Sequence, residues 1–275
     1  MDKFIAKKDG KLSKFLLYEY NGKLSYSTFC KLLRNKDIKV NSKRVNEDLS
    51  LKVGDVVECY YKQIDKNLEL LYSSEHMIAV FKPNDITSED FYNKVLLSFP
   101  SAKAIHRLDR NTSGILVYAL DNNSEIELLN AFKTHTVKKY YLAEVYGVLK
   151  EKQAILTAYL VKNNQSGTVK VYDEKTENSL TVKTEYKVVK EYDNSSVLSI
   201  LLHTGRTHQI RAHMAHIGHF VIGDGKYGDN AVNKAFKCKR QRLCAVKIEF
   251  NFDKDSPLYY LNGVKLDVSD KFKIE

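Results

Sequence analysis

Apolar positions along this chain fall into two rhythms. Near the start they recur at helical spacing: Leu12, Phe15, Leu16 and Tyr20 in KLSKFLLYEY, then Phe29, Leu32 and Leu33 in SYSTFCKLLRN. That spacing marks two amphipathic helices. Two short strand candidates follow, IKVN and VVECYY, joined by a polar stretch and the turn KVGDVV. After a linker beginning DKNLEL, the rhythm becomes that of strands: MIAVFKP, ended by Pro83, then YYLAEVYG, QAILTAYLV, GTVKVY, SLTVKTEYKVV and SSVLSILL. One amphipathic helix is predicted among them, over 124–134 (SEIELLNAFKT). The succession predicts an α+β fold, a mostly antiparallel mixed sheet with packed helices. A small N-terminal α/β domain precedes it, with the boundary placed at 1–62 and 63–275.

Composition narrows the class. With 43% hydrophobic and 28% charged residues in 275, the chain reads as globular. No apolar run approaches the roughly 18 residues of a membrane span, and MDKFIAKKDGKLSKF lacks the apolar segment of a signal peptide. Cys30, Cys59, Cys238 and Cys244 form no CxxC pair, so free thiols in a monomeric, cytoplasmic protein are expected. The net charge of +10 is uneven: residues 1–62 hold 14 Lys and Arg against 8 Asp and Glu, the other 213 hold 30 against 26. A basic module on a nearly balanced body suggests a polyanion partner. Arg34, Lys36, Lys39, Lys43 and Arg44 cluster at the second helix's end and the loop after it, either a phosphate-binding face or a merely solvated one.

Two polar clusters carry candidate chemistry. In HRLDRNTSGILVYAL, Asp109 lies between Arg107 and Arg110, three residues after His106. It is either a salt-bridge partner that pins a loop or a carboxylate held ready to react. In LLHTGRTHQIRAHMAHIGH, Gly205 suits a strand-to-helix turn and Thr207 an N-cap. Ile210, Met214 and Ile217 make the buried stripe, with Arg211 at its edge, placed to reach a carboxylate, and His208 on the same side. The five histidines here raise the possibility of metal, but no HExxH is present and i, i+3, i+6 spacing spreads them around a helix. Surface or phosphate-binding roles suit them better. GDGKYG at 223–228 has the form GxGxxG, yet only 26 residues follow Glu249, too few for a dinucleotide fold. It is read as a plain turn. A kinase HRD loop is excluded by Leu108, which separates Arg107 from Asp109.

Taken together, HRLDRNTSGILV, KKYYLAEVYG and TGRTHQIRAHMAHIGHFVIGDGKYG resemble, in order and separation, the RluA family of RNA pseudouridine synthases. The N-terminal stretch, through LLRNKDIKVNSKRV and KVGDVVE, resembles the RNA-binding domain named after a small-subunit ribosomal protein. The resemblance implies isomerisation of uridine in structured RNA without cofactor or metal. Asp109 would be the nucleophile, Arg211 its orienting partner, and Tyr141 the tyrosine that lies against the base and moves a proton at carbon 5. His106 and Arg107 would contact the backbone or fill the space left by the flipped base. Arg206 and His208 would bind flanking phosphates, with Ile210 beside them. Large-subunit ribosomal RNA is the expected substrate and tRNA the alternative; attack on ribose or on uracil requires the same residues. A non-catalytic RNA-binding protein and a nucleotide-dependent oxidoreductase are the competing readings. One departure from the family pattern is KPNDITS, where Asn84 and Asp85 replace a small residue and glycine.

Overall fold

The computed structural model describes residues 2–20, 24, 26–61, 68–163 and 167–274. The chain divides into two compact units, one built on Met1–Asp65 and one on Lys66–Leu96 and Pro100–Glu275. The expected boundary at 62/63 lies outside the described residues.

In the first unit the helical spacing becomes α1 (Leu12–Glu19) and α2 (Tyr26–Arg34). Their apolar faces, through Leu12, Leu16, Phe29 and Leu33, close over Ile38 and Val57. Lys11 cannot cap α1, and Asp48 does so from a distance. Its carboxylate accepts the backbone N–H of Ser13 at 2.8 Å and the Ser13 hydroxyl at 2.7 Å, satisfying one of the donors that a helix start leaves open. The four-stranded sheet adds Asp2–Ile5 and Lys43–Val45 to the two expected strands, Ile38–Val40 and Val56–Cys59. Asn41 closes no strand: with Ser42 it forms a two-residue turn, both at positive φ (50° and 68°), the geometry that suits tight hairpins. Lys39 and Arg44 are cross-strand neighbours. Arg34, Lys36, Lys43 and Arg44 are exposed, while half-buried Lys39 sits 3.8 Å from Glu58 and over the Tyr60 ring.

The second unit is organised by one large mixed sheet. Its main path runs Thr168–Tyr172, Gln153–Asn163, Leu180–Tyr192, Ser195–Leu202, Lys138–Tyr146, Leu243–Glu249, Ser113–Ala119, Met77–Lys82, Glu69–Ser73. Neighbours pair antiparallel except Ser113–Ala119 with Leu243–Glu249. Strands at the middle, such as Ser113–Ala119, are apolar on both faces, whereas Gln153–Asn163 alternates, as one-sided burial requires. The helices α3 (Ser88–Ser98), α4 (Asn122–Lys133), α5 (Gln209–His216) and α6 (Asn230–Ala235) complete the unit. Leu128, Ala131 and Phe132 of α4 pack with Ile115, Val117 and Val246 in one core cluster. α4 starts two residues earlier than its apolar spacing predicts because Asp121 caps it, accepting Ser124 N–H at 2.8 Å. Among the described residues no helix is long and apolar enough to cross a membrane.

The parallel pairing, the only one among the described residues, brings two backbones unusually close. A Cβ on Gly114 would stand 2.2 Å from the Ala245 carbonyl oxygen, and Gly114 has φ of 127°. Both objections concern backbone atoms, which cannot swing aside. Gly114→Ala is therefore expected to destabilise the domain by about 3 kcal/mol or more, adding overpacking to backbone strain. Urea unfolding should show a lower midpoint with an unchanged slope.

Candidate active site

Asp109 sits on the loop leading into the strand Ser113–Ala119, and that loop is held from several sides. The Ser88 hydroxyl donates to the Leu108 carbonyl at 2.8 Å and accepts the Leu108 N–H at 2.9 Å. Thr112 N–H donates to the Asp109 carbonyl at 3.1 Å, and Gln241 donates to the Thr112 hydroxyl at 3.0 Å. Lys82, fully buried, points its ammonium at the carbonyls of Pro83, Ile86 and Arg110, at 2.9, 2.9 and 3.1 Å. Burial pulls its pKa down to about 8, against the pull of Asp109, so it remains a cation at neutral pH. These bonds shape the loop at the departure from the family pattern: Asp85 takes a left-handed turn (φ 67°), with Arg240 Nε 3.3 Å from its carboxylate.

Arg211 rises from α5 to meet this loop. Its Nη1 donates to Asp109 Oδ2 at 2.9 Å, while Nε and Nη2 grip Asp224 at 2.6 and 2.9 Å. The Tyr227 ring lies 5.2 Å from the guanidinium carbon. The Arg211 side chain is 7% exposed and that of Asp224 0%, whereas Asp109 keeps 21%. Arg211 is thus locked by the inner carboxylate and presents one N–H to the outer one. Burial raises the pKa of Asp224, but the Arg211 pair and the N–H groups of Lys226 and Tyr227 outweigh it and leave it below the ordinary value. Burial likewise opposes the charge on Arg211, and the two carboxylates more than restore it.

A cavity of about 560 Å³ opens over Asp109. Its lining includes Asp109, Tyr141, Arg211, His106, Arg107, Arg206, His208 and Ile210, every catalytic and substrate-binding position singled out in the sequence. Tyr141 comes from the strand Lys138–Tyr146, where a bulge in the pairing with Leu243–Glu249 falls between Tyr140 and Tyr141. Tyr140 turns away and donates to Glu249 at 2.9 Å. Burial, helped by the charge of Asp109, raises the Tyr141 pKa, so its phenol stays protonated. His106 accepts the Val117 N–H on Nε2 at 3.1 Å and stacks on Phe132. Burial pushes its pKa down to about 3, aided by Lys139, which keeps it neutral. Arg107 and Arg206 are exposed at the rim.

Around α5 two expectations change. Thr207 does not cap the helix: His208, in the left-handed region (φ 53°), holds the N-cap position without a side-chain bond to the helix start. Gln209 instead folds back, its Oε1 accepting from Arg206 N–H at 3.1 Å and the Thr204 hydroxyl at 2.8 Å. His213 is no surface histidine. It is buried, bonded to Thr184 at 3.0 Å, and burial drives its pKa to about 4. The five histidines face five partners: His203 meets Glu185, His208 Tyr227, His213 Thr184, His216 Asp173 and His219 the Tyr146 carbonyl. His208 also brings Nε2 to 3.9 Å from Asp109.

GDGKYG is more than a turn, because it supplies Asp224 and Tyr227 to the site. Nothing local announces this. The partner of Asp224 is one arginine reached through space. Chemically, the site offers an ionisable carboxylate fixed in direction, partly open to the cavity, beside a neutral phenol and under a cationic rim.

Residues 76–216 match the family described as RNA pseudouridylate synthase. A ribosomal large subunit pseudouridine synthase C of Vibrio parahaemolyticus is 28% identical, over 86% of this chain and 84% of its own. An RNA pseudouridine synthase of Mycoplasma capricolum is 32% identical over 96% of both chains. Among solved structures, human RNA pseudouridylate synthase domain containing 1 superposes with a TM-score of 0.65 at 27% identity, covering 76% of this chain and 85% of that one.

Proposed function

This chain belongs to the RNA pseudouridylate synthase family, and we propose that it isomerises uridines of large-subunit ribosomal RNA with Asp109 as nucleophile. The observation that supports this most is the Asp109–Arg211–Asp224 chain of charges at the floor of the cavity. A carboxylate needs no general base to react at neutral pH and is a fair leaving group. Arg211 aims it through a charge-assisted bond. In the reaction the N1–C1′ bond breaks, the uracil turns while held, and C5 bonds to C1′. The C5 hydrogen leaves to water and N1 takes a proton, so the product is an isomer. Tyr141, kept neutral by burial, lies against the base. Arg107 and Arg206 at the rim suit the RNA backbone, and a uridine in folded RNA must first leave its stack, at about a few kcal/mol.

The choice of ribosomal RNA rests on two supports. One relative matching most of the chain is named for the large ribosomal subunit. The first unit carries exposed Arg34, Lys36, Lys43 and Arg44 with half-buried Lys39, a basic face suited to structured RNA. The test uses RNA transcribed with tritium at carbon 5 of uridine. Purified protein should release label to water from large-subunit ribosomal RNA or its particles, and not from tRNA. Release from tRNA alone would move the substrate assignment to tRNA, and none from any of these would sink the reading.

A further inference from the structure

Five residues lining the cavity are Lys or Arg (Arg107, Lys133, Lys139, Arg206 and Arg211), against one carboxylate, Asp109. Arg211 is satisfied by Asp109 and Asp224, and Arg107, Lys133 and Arg206 are exposed to water. Lys139 differs from all four. It stands two residues before Tyr141 on the same strand and lines the same cavity. Its ammonium lies 5.4 Å from the Phe132 ring centroid, in a space kept open by Gly205, where a Cβ would come within 3.2 Å of it. No carboxylate among the described residues pairs with it. Burial lowers its pKa, and its charge in turn helps hold His106 and His135 below their usual values. A half-buried cation without a counter-charge is costly to keep. Its counter-ion therefore arrives with the ligand, and in RNA the anion beside every nucleoside is the phosphodiester.

We propose that Lys139, in the space left by Gly205, binds a phosphodiester adjacent to the target uridine. This rests on the uridine-isomerase reading and adds a substrate-binding residue to it. Such a grip has a use in the chemistry. Once N1–C1′ breaks, the base is free to turn while the ribose stays fixed through its phosphate, so C1′ remains in place for C5.

The probe is the trinucleotide ApUpA, compared with two forms in which the linkage before or after the uridine is a neutral methylphosphonate. Each is titrated by NMR into the full-length wild type, Lys139→Met and Lys139→Arg. Methionine is unbranched and only one atom shorter than lysine, and it suits the Phe132 contact, so the melting temperature should hold or rise. Loss of a charge-assisted contact corresponds to roughly 10- to 100-fold in affinity. We expect that loss for Lys139→Met with ApUpA, an equal loss for wild type with one of the two neutral linkages, and no further loss when both changes are combined. Lys139→Arg should retain most of the affinity. Losses that multiply at both linkages, equal binding of all three probes by wild type, or no binding of ApUpA would each overturn the proposal. Tritium release is read separately, so a failure of the reaction assignment leaves the trinucleotide result standing.

Discussion

Asp109→Asn is expected to abolish tritium release, by at least about 10⁴-fold, while affinity for RNA changes only a few-fold. The size follows from the role. An enzyme that forms a bond through one side chain loses most of its acceleration when that atom can no longer attack. The selectivity follows from the geometry. An amide has the shape of the carboxylate, and its oxygen can still accept the Arg211 Nη1–H now bonded at 2.9 Å. The guanidinium remains gripped by Asp224 at Nε and Nη2, so nothing buried loses its partner. The melting temperature should accordingly move little. Release of tritium paired with filter binding on the same RNA separates the outcomes. A variant that keeps more than about a hundredth of wild-type turnover would falsify the nucleophile assignment and return Asp109 to a loop salt bridge.

The second large effect belongs to Arg211. Arg211→Lys should lose both stability and turnover although the charge is kept. One ammonium cannot present the planar fork that holds Asp224 through two nitrogens and also reach Asp109 with a third. Asp224 would then stay buried with its charge poorly met, and breaking a buried pair costs about 3–5 kcal/mol. For a domain of this size that corresponds to a fall of roughly 6–20 °C in melting temperature. Turnover should fall further than the folded fraction explains, because Asp109 loses its aim. The informative comparison is Asp224→Asn, which keeps Arg211 but loosens the fork. It should lower turnover with a smaller drop in melting temperature. If Arg211→Lys melts like wild type, the triad of charges contributes little to the fold.

Much of the framework was legible in the chain itself. The apolar runs at MIAVFKP, QAILTAYLV and SSVLSILL become strands because sheet burial imposes alternation or continuity on neighbouring residues, and α1, α2 and α4 appear because helical burial repeats every three to four. Edge strands such as Asp2–Ile5 and Lys43–Val45 escaped, since their pairing is made by backbone groups and their side chains are mostly exposed. The start of α5 departs from its sequence signature for a related reason. Thr207 has the chemistry of a cap, yet the Gln209 side chain reaches back to the Arg206 N–H and the Thr204 hydroxyl, and His208 takes the left-handed turn.

What the sequence by itself determined is the order of most elements, the uneven charge, and a set of motifs whose resemblance to a family picks out Asp109, Tyr141 and Arg211. Only the tertiary structure decided which groups meet. Asp109 and Arg211 are 102 residues apart, and Thr112 and Gln241 are 129 apart. Asp224 hides in what reads as a turn, and Lys139 in a strand whose pattern is set by its buried neighbours. The physical reason is one of range. Periodicity records what each residue does relative to the next few, whereas the partner of a buried charge is chosen by where the sheet and helices bring distant side chains together, and that leaves no local trace.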